Sequence, residues 1–152
     1  MKELEDILKT KSEIPMVRKT VLNIMYSNVW IKDNITCALK PFDISVEQFN
    51  VLRILRGQKG NPTNLQDIQD RMISKMSNTT RLVDKLILKG FVERFTCEKN
   101  RRKVDIFITQ SGLDVLNTID PIIDSTEQKM TSNLTNDELE TLNYILTKLR
   151  DY

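Results

Sequence analysis

One helix pattern, one glycine and two strand patterns follow one another directly in this chain, and this order constrains the fold more than any other feature. Residues 75–89 have the apolar spacing of a helix with one buried face, and Gly90 stands where a helix commonly ends in the left-handed conformation. Residues 91–96 and 104–109 alternate apolar and polar side chains, as strands do. The basic stretch 99–103 between them predicts the turn of a β-hairpin.

Positive charge is concentrated in the same part of the chain. Residues 75–103 contain nine basic and three acidic side chains, a net charge of +6, whereas the whole chain carries only +2. The remainder of the chain is therefore acidic. A basic helix and hairpin on an otherwise acidic protein is a charge distribution typical of DNA binding, because the phosphate backbone attracts clustered cations.

Three more helices are predicted upstream from apolar residues spaced by three and four. They cover residues 16–40, 45–56 and 64–72. Pro41 ends the first, and a capping box that begins at Ser45 starts the second. Asn64 or Thr63 caps the third. Residues 1–15 have few apolar anchors and are predicted to be a loose lead-in.

Two helices are predicted after the hairpin, over residues 110–133 and after a second capping box at Thr135. Pro121 should kink or break the first of them. The second carries a heptad-like apolar seam from Leu139 to Leu149. Both chain ends thus supply apolar-striped helices with only a small domain between them, which favours a homodimer.

Short helices followed by a hairpin are the parts of a winged helix-turn-helix, in which the last helix enters the DNA major groove. We therefore expect a mainly α (α+β) fold with three parts. Residues 1–44 form a lead-in and dimerisation helix, residues 45–109 the winged helix-turn-helix, and residues 110–152 the C-terminal dimerisation helices. The inward face of the helix 75–89 should be formed by Met76, Val83, Leu86 and Ile87.

Two groups of residues are the candidate DNA contacts. The outward residues near the start of the recognition helix suit base edges and phosphates: Lys75, Ser77, Asn78, Thr80 and Arg81. The hairpin, or wing, supplies the second group: Arg94, Asn100, Arg101, Arg102 and Lys103. Arg94 either buttresses the wing or contacts phosphate.

Composition excludes several other functions. The chain has no histidine, no glycine-rich phosphate loop and no paired-carboxylate motif, which argues against an enzyme. Two cysteines without histidine make a metal site improbable, and no cofactor is expected. No apolar run is long enough to span a membrane, and the cysteine content fits the reducing cytoplasm, so we expect a cytoplasmic protein without a membrane partner.

The segments 80–86 (TRLVDKL) and 89–94 (KGFVER), together with Arg102, Thr109 and Gly112, closely resemble the MarR family of bacterial transcriptional regulators. The resemblance extends over nearly the whole chain. It implies an obligate homodimer that binds a pseudo-palindromic operator in double-stranded DNA, most often as a repressor released by a small aromatic or phenolic ligand. The chain departs from the family pattern at Asn100, where the family has a wing aspartate that helps to fix the wing arginine.

Several alternatives remain open at this stage. Tyr26, Trp30 and Phe42 are the candidate lining of an effector pocket, although aromatic residues at helical spacing more often belong to a core. Cys97 or Cys37 could make the protein a redox-sensing regulator, but neither matches the position of the reactive cysteine in the hydroperoxide-sensing members of the family. A winged-helix module that binds an acidic protein partner is the remaining alternative.

Overall fold

The computed structural model describes residues 3–97 and 100–151, with the backbone alone at residues 97 and 100–103. The elements follow in this order: α1 Leu4–Ile7, α2 Met16–Leu39, a 3-10 turn Lys40–Phe42, α3 Val46–Gly57, α4 Leu65–Arg71, α5 Thr79–Leu88, β1 Val92–Cys97, β2 Asn100–Ile108, α6 Gln110–Thr131 and α7 Asn136–Leu149. The mainly α, winged helix-turn-helix fold class expected from the sequence is confirmed.

The capping signals act as predicted. At the start of α3, the Ser45 hydroxyl accepts the Gln48 N–H at 3.1 Å and the Gln48 side chain accepts the Ser45 N–H at 3.0 Å. A second capping box, at Thr135, starts α7. Gly90 follows the end of α5 with a φ of 73°, the left-handed conformation that its position predicted. These local signals fix the helix ends because they satisfy backbone groups that the helix itself leaves unpaired.

Of the two candidate caps for α4, the structure uses Asn64, whose side chain accepts the Asp67 N–H at 2.9 Å. Thr63 instead lies against β2. Its N–H donates to the Ile106 carbonyl at 3.2 Å, and the Ile106 N–H donates back at 2.8 Å. This bridge ties the helix-turn-helix to the base of the wing.

The wing is longer on its second strand than predicted. β1 and β2 pair antiparallel from Val92–Ile108 to Thr96–Val104, and the register then shifts so that Cys97 pairs with Asn100. The predicted turn 99–103 is therefore wrong over residues 100–103, which belong to β2. The rest of that predicted turn, Lys99, lies outside the described residues. The charged composition suggested a turn, but β2 already begins at Asn100, and residues 101–103 fall at the register shift between Thr96 and Cys97.

The recognition helix begins later than predicted. α5 starts at Thr79 rather than at residue 75, because the Asn78 side chain accepts the Arg81 N–H at 3.0 Å and so caps the helix there. Met76, expected on the inward face, is 95% exposed and lies before the helix. That expectation was wrong, whereas Val83 and Leu86 are buried as predicted.

A single apolar core holds the winged domain to the long helices. α3 lies at its centre, and α2, α5, β2 and α6 all pack against it. The fully buried core residues include Leu39, Val51, Leu52, Ile68, Val83, Leu86, Ile106, Leu116 and Ile119. Burying this many aliphatic side chains is the main source of stability. A bidentate ion pair between Arg56 and Asp120, with a shorter N–O distance of 2.5 Å, also joins α3 to α6.

The two chain ends differ from the core in being largely exposed. α6 continues through Pro121, so the break considered for that position does not occur. α7 has no buried residue, although it carries the apolar seam predicted from the sequence. The lead-in is more ordered than predicted, because residues 4–7 form one helical turn and Leu4 is only 3% exposed.

Candidate nucleic-acid interface

The N-terminal end of α5 presents a small polar surface to solvent. Asn78, Thr80 and Arg81 are exposed, while Thr79 between them is buried and anchors the helix. This end of a helix carries a partial positive charge, which favours an approaching phosphate or carbonyl oxygen. The exposed residues therefore lie at the helix end best suited to contact DNA.

Lys75 and Ser77, expected on the recognition helix, lie in the turn before it. The Lys75 ammonium group donates to the Asp70 carbonyl at the end of α4. The Gln69 side chain also spans the turn, since its amide donates to the Lys75 carbonyl and its oxygen accepts the Thr79 hydroxyl. These contacts hold α4 and α5 in a fixed relation, as a helix-turn-helix requires.

Arg94 is paired with the recognition helix. Its guanidinium lies 3.1 Å from an Asp84 carboxylate oxygen on α5, and both side chains are about half exposed (39% and 49%). This geometry favours the first of the two roles considered for Arg94, a buttress between the wing and α5. On the other side of the wing, Phe95 and Phe107 form an edge-to-face pair with ring centroids 5.9 Å apart.

Lys89, at the C-terminal end of α5, is engaged by Asp43. The Lys89 ammonium lies 2.5 Å from the Asp43 carboxylate, and its hydrogen bond lowers the pKa of that carboxyl below 3.8. Asp43 has a φ of 53°, just after the turn that follows α2. The pair ties the far end of α5 to the end of α2, away from the capped end.

The wing residues Asn100, Arg101, Arg102 and Lys103 all lie on β2, next to the end of the hairpin. The structure describes only their backbone, so their DNA contacts remain a prediction. Within the described part of the chain no helix is long and apolar enough to cross a membrane. Over the same residues, no cluster of three or more His, Cys, Asp or Glu side chains could hold a metal ion.

A cleft of about 760 Å³ opens between α2, α3, α6 and the turn that leads to α5. Its walls are mostly apolar. The lining residues are Asn28, Ile31, Lys32, Ile35, Val46, Glu47, Phe49, Asn50, Arg53, Met72, Ile73, Ser74, Ile123, Glu127 and Met130. The Arg53 guanidinium stands 5.6 Å over the Phe49 ring. The cleft therefore combines an aromatic and aliphatic surface with two basic side chains, Lys32 and Arg53, and two acidic ones, Glu47 and Glu127.

The three aromatic residues proposed for an effector pocket do not line this cleft. Trp30 lines a smaller cavity of about 370 Å³ between α2 and α6, together with Cys37. Tyr26 is 45% exposed on α2, and Phe42 packs against the core. Cys37 is a free, exposed thiol, and the side chain of Cys97 lies outside the described residues.

Sequence reasoning missed Asn50 and Arg53 as cleft residues. Both lie on the polar side of α3, three residues apart, and that spacing was the available signal. This spacing alone does not predict the cleft, because the opposite wall of the cleft is formed by segments that are distant in sequence.

A helix-turn-helix packed on the core, with a recognition helix whose capped end is exposed and with an antiparallel wing after it, defines the class of winged-helix DNA-binding proteins.

The MarR family model matches residues 44–104. Multiple antibiotic resistance protein MarR of Escherichia coli K12 is 32% identical over 113 residues, covering 73% of this chain and 76% of that protein. YkoM of Bacillus subtilis, described as an uncharacterized HTH-type transcriptional regulator, is 33% identical over 109 residues, covering 72% and 70%.

Among solved structures, a mutant of E. coli MarR in complex with operator DNA has a TM-score of 0.76 and 27% identity. The match covers 98% of this chain and 99% of that one. The chain belongs to the MarR family, and it is a DNA-binding transcriptional regulator.

Proposed function

We propose that the protein is a homodimeric repressor that binds a pseudo-palindromic operator and releases it when a small aromatic ligand occupies the cleft. The observation that carries this proposal is the exposed polar surface at the capped end of α5, held rigidly by its buried opposite face. An α-helix fits the major groove, and bidentate side chains there distinguish one base pair from another.

The DNA contacts divide into two groups by position. Arg81, Asn78 and Thr80 lie where they can enter the major groove, with Arg81 as the main base contact. Lys75 and Ser77, in the turn before the helix, are suited to the flanking phosphates. Arg101, Arg102 and Lys103 on the wing bind the neighbouring backbone or minor groove, and Asn100 lies beside them.

The exposed apolar surface of the chain ends supports the homodimer. Large apolar side chains on α2 and α7 are 43–80% exposed in the single chain, far more than a soluble surface normally presents in one region. They are Met16, Val17, Val21, Met25, Tyr26, Val29, Trp30, Ile31, Leu142, Tyr144, Ile145 and Leu149. Two-fold pairing would cover them and place two recognition helices about one DNA turn, ~34 Å, apart.

The cleft supports the effector part of the proposal. Its volume and apolar walls suit a small aromatic molecule, and Arg53 over Phe49 offers a cation to an acidic or phenolic group. Tyr26 and Trp30 then belong to the dimer surface rather than to the effector site, and Phe42 to the core. The cleft also touches the turn in front of α5, which places a bound ligand next to the DNA-reading element.

Fluorescence anisotropy with labelled DNA from upstream of the protein's own gene tests this function. We expect tight binding to that DNA that weakens steeply with salt. Arg81→Ala should cost more on the operator than on random DNA, by ~1–3 kcal/mol, because a base contact is lost. Arg102→Ala should weaken both equally and flatten the salt dependence, because a phosphate contact is lost.

Lys11→Ala is the matched control, since it removes one positive charge from the exposed lead-in. Its operator affinity should equal that of the wild type. Wild-type protein that shows no DNA binding even at low salt, or an Arg81→Ala variant that loses as much on random DNA as on the operator, would contradict the proposed roles. Binding to an acidic protein instead of DNA would favour an interaction module.

A further inference from the structure

One tertiary hydrogen bond joins the cleft to the turn that precedes the recognition helix. The Asn50 side-chain oxygen, on α3, accepts the N–H of Ile73 at 3.0 Å across 23 residues of sequence. Ile73 is the second residue after α4, whose last helical residue is Arg71. The bond therefore fixes the start of the segment 73–77, which leads to the Asn78 cap of α5.

Apolar packing does little to hold this segment. The side chains of Ile73 and Met76 are 88% and 95% exposed, so neither anchors the segment to the core. The contacts that the structure does give it are polar. The Asn50 oxygen accepts the Ile73 N–H, and the Gln69 amide donates to the Lys75 carbonyl. The Lys75 ammonium also donates to the Asp70 carbonyl. A segment held by a few hydrogen bonds opens more easily than one held by burial.

Asn50 itself is well placed to hold the segment. Its neighbours Phe49 and Val51 are buried in the core, so the α3 backbone at this point is rigid. The Asn50 side chain also lines the cleft, as do Met72, Ile73 and Ser74. The Asn50 side chain thus forms part of the cleft wall and also holds the backbone of Ile73, in the segment that determines the orientation of α5.

We propose that Asn50 is a positioning residue for operator binding: its hydrogen bond to Ile73 holds the segment 73–77, and through it the capped end of α5, in the conformation that fits the major groove. This inference rests on the proposed function. Without the bond, the segment samples other conformations, and operator affinity falls in proportion to the fraction of molecules still competent to bind.

Three variants test the proposal with labelled operator and random duplexes. Asn50→Leu keeps the size of the side chain and removes the acceptor. Asn50→Asp keeps an oxygen that accepts the Ile73 N–H. Asn61→Leu is the matched control, because it removes a side-chain hydrogen bond to a backbone carbonyl, that of Gln58, in the exposed loop after α3, and Asn61 does not line the cleft.

Asn50→Leu should weaken operator binding roughly tenfold, as expected for one lost hydrogen bond, while binding to random DNA changes less than about twofold. The Ile73 amide should exchange faster with solvent in the same variant. Asn50→Asp should restore both properties, and Asn61→Leu should alter neither. Asn50→Ser, too short to reach Ile73, replaces the leucine variant if circular dichroism shows that the latter does not fold.

Equal losses on operator and random DNA, an unchanged operator affinity in Asn50→Leu, or an aspartate variant as weak as the leucine variant would each overturn the positioning role. Operator binding by the wild-type protein distinguishes a failure of the Asn50 inference from a failure of the proposed function. If the wild type binds and the variants do not differ, only the inference on Asn50 fails. If the wild type does not bind DNA at all, the proposed function fails with it.

Discussion

At the scale of single residues, Asn78 has a structural task that limits its part in DNA recognition. Its side-chain oxygen accepts the Arg81 N–H at 3.0 Å and so defines where α5 begins. Capping also sets the direction of Thr80 and Arg81, because both lie in the first turn after Asn78. A base contact by Asn78 must therefore use its amide N–H groups while the oxygen stays on the helix.

This double role of Asn78 predicts a difference between two substitutions. Asn78→Ala should lower the free energy of unfolding by ~1 kcal/mol, because the N-cap is lost. Asn78→Ser should keep most of the wild-type stability, because serine is also a good N-cap residue. Chemical denaturation at fixed protein concentration measures the difference. If Asn78 also contacts a base, the serine variant should bind the operator more weakly than the wild type although it is equally stable. A serine variant as unstable as the alanine variant would refute the capping role.

At the scale of elements, the contact between α6 and the wing depends on a glycine. A Cβ atom at Gly112 would stand 2.3 Å from the Phe91 carbonyl oxygen and 2.7 Å from a side-chain carbon of Ile108. Neither atom can move away at low energetic cost, since one belongs to the backbone of Phe91 and the other to a side chain of strand β2. The first turn of α6 can therefore approach the base of the wing only where the residue has no side chain.

We expect Gly112→Ala to destabilise the protein by roughly 1–3 kcal/mol through overpacking. Gly57→Ala is a matched control, because a Cβ there meets nothing within 4 Å and Gly57 ends α3 in a helical conformation. That variant should be as stable as the wild type or slightly more so. Thermal unfolding of both variants measures the difference. Equal thermal unfolding midpoints for the two variants would show that α6 can shift away from the wing without loss of stability.

The link between α2 and α3 predicts a pH dependence. Lys32 donates to Glu47 at 2.9 Å, and this hydrogen bond is the main reason that the pKa of Glu47 lies below its ordinary value of 4.5. Because the folded pKa is the lower one, the pair stabilises the protein fully above about pH 4.5 and loses its effect as the pH falls through the folded value. Glu47→Gln should therefore show a smaller loss of stability than the wild type on acidification.

Urea unfolding between pH 7 and pH 3 measures this effect of Glu47. Glu13→Gln, at an exposed glutamate of the lead-in, is the control and should follow the wild-type curve. A Glu47→Gln curve that runs parallel to the wild type over the whole range would contradict the prediction. The pair is partly exposed, with 57% of the Lys32 side chain and 28% of the Glu47 side chain open to solvent, so added salt should reduce the difference.

The sequence predicted these elements unequally, for physical reasons. Gly90, Ser45 and Thr135 were identified correctly because caps are local: the signal and its hydrogen bond lie within a few residues. The start of α5 was misplaced because residues 75–78 can extend the helical pattern, and only the cap at Asn78 ends it. Asn50 was missed because its partner is 23 residues away, and no local pattern encodes a tertiary contact.

At the scale of the whole molecule, charge and apolar surface lie in different places. The basic residues gather on α5 and the wing, while 12 of the 19 large apolar side chains that are exposed among the described residues lie on α2 and α7. A dimer formed through the chain ends would leave the basic surfaces free and pointing to the same duplex. Two linked half-site contacts bind far more tightly than one, because the second is intramolecular.

This arrangement predicts that operator binding depends on residues far from the DNA. Ile145→Glu on α7 places a charge on a side chain that is 53% exposed in the single chain and buried in the proposed dimer. The variant should elute as a monomer in size-exclusion chromatography with light scattering, and its operator affinity should fall by two or more orders of magnitude, roughly the gain that bivalency supplies. Asn143→Glu adds the same charge about 160° away around α7 and should leave mass and affinity unchanged. A wild-type protein that is monomeric, or an Ile145→Glu dimer with full affinity, would mean that the exposed apolar faces serve another partner.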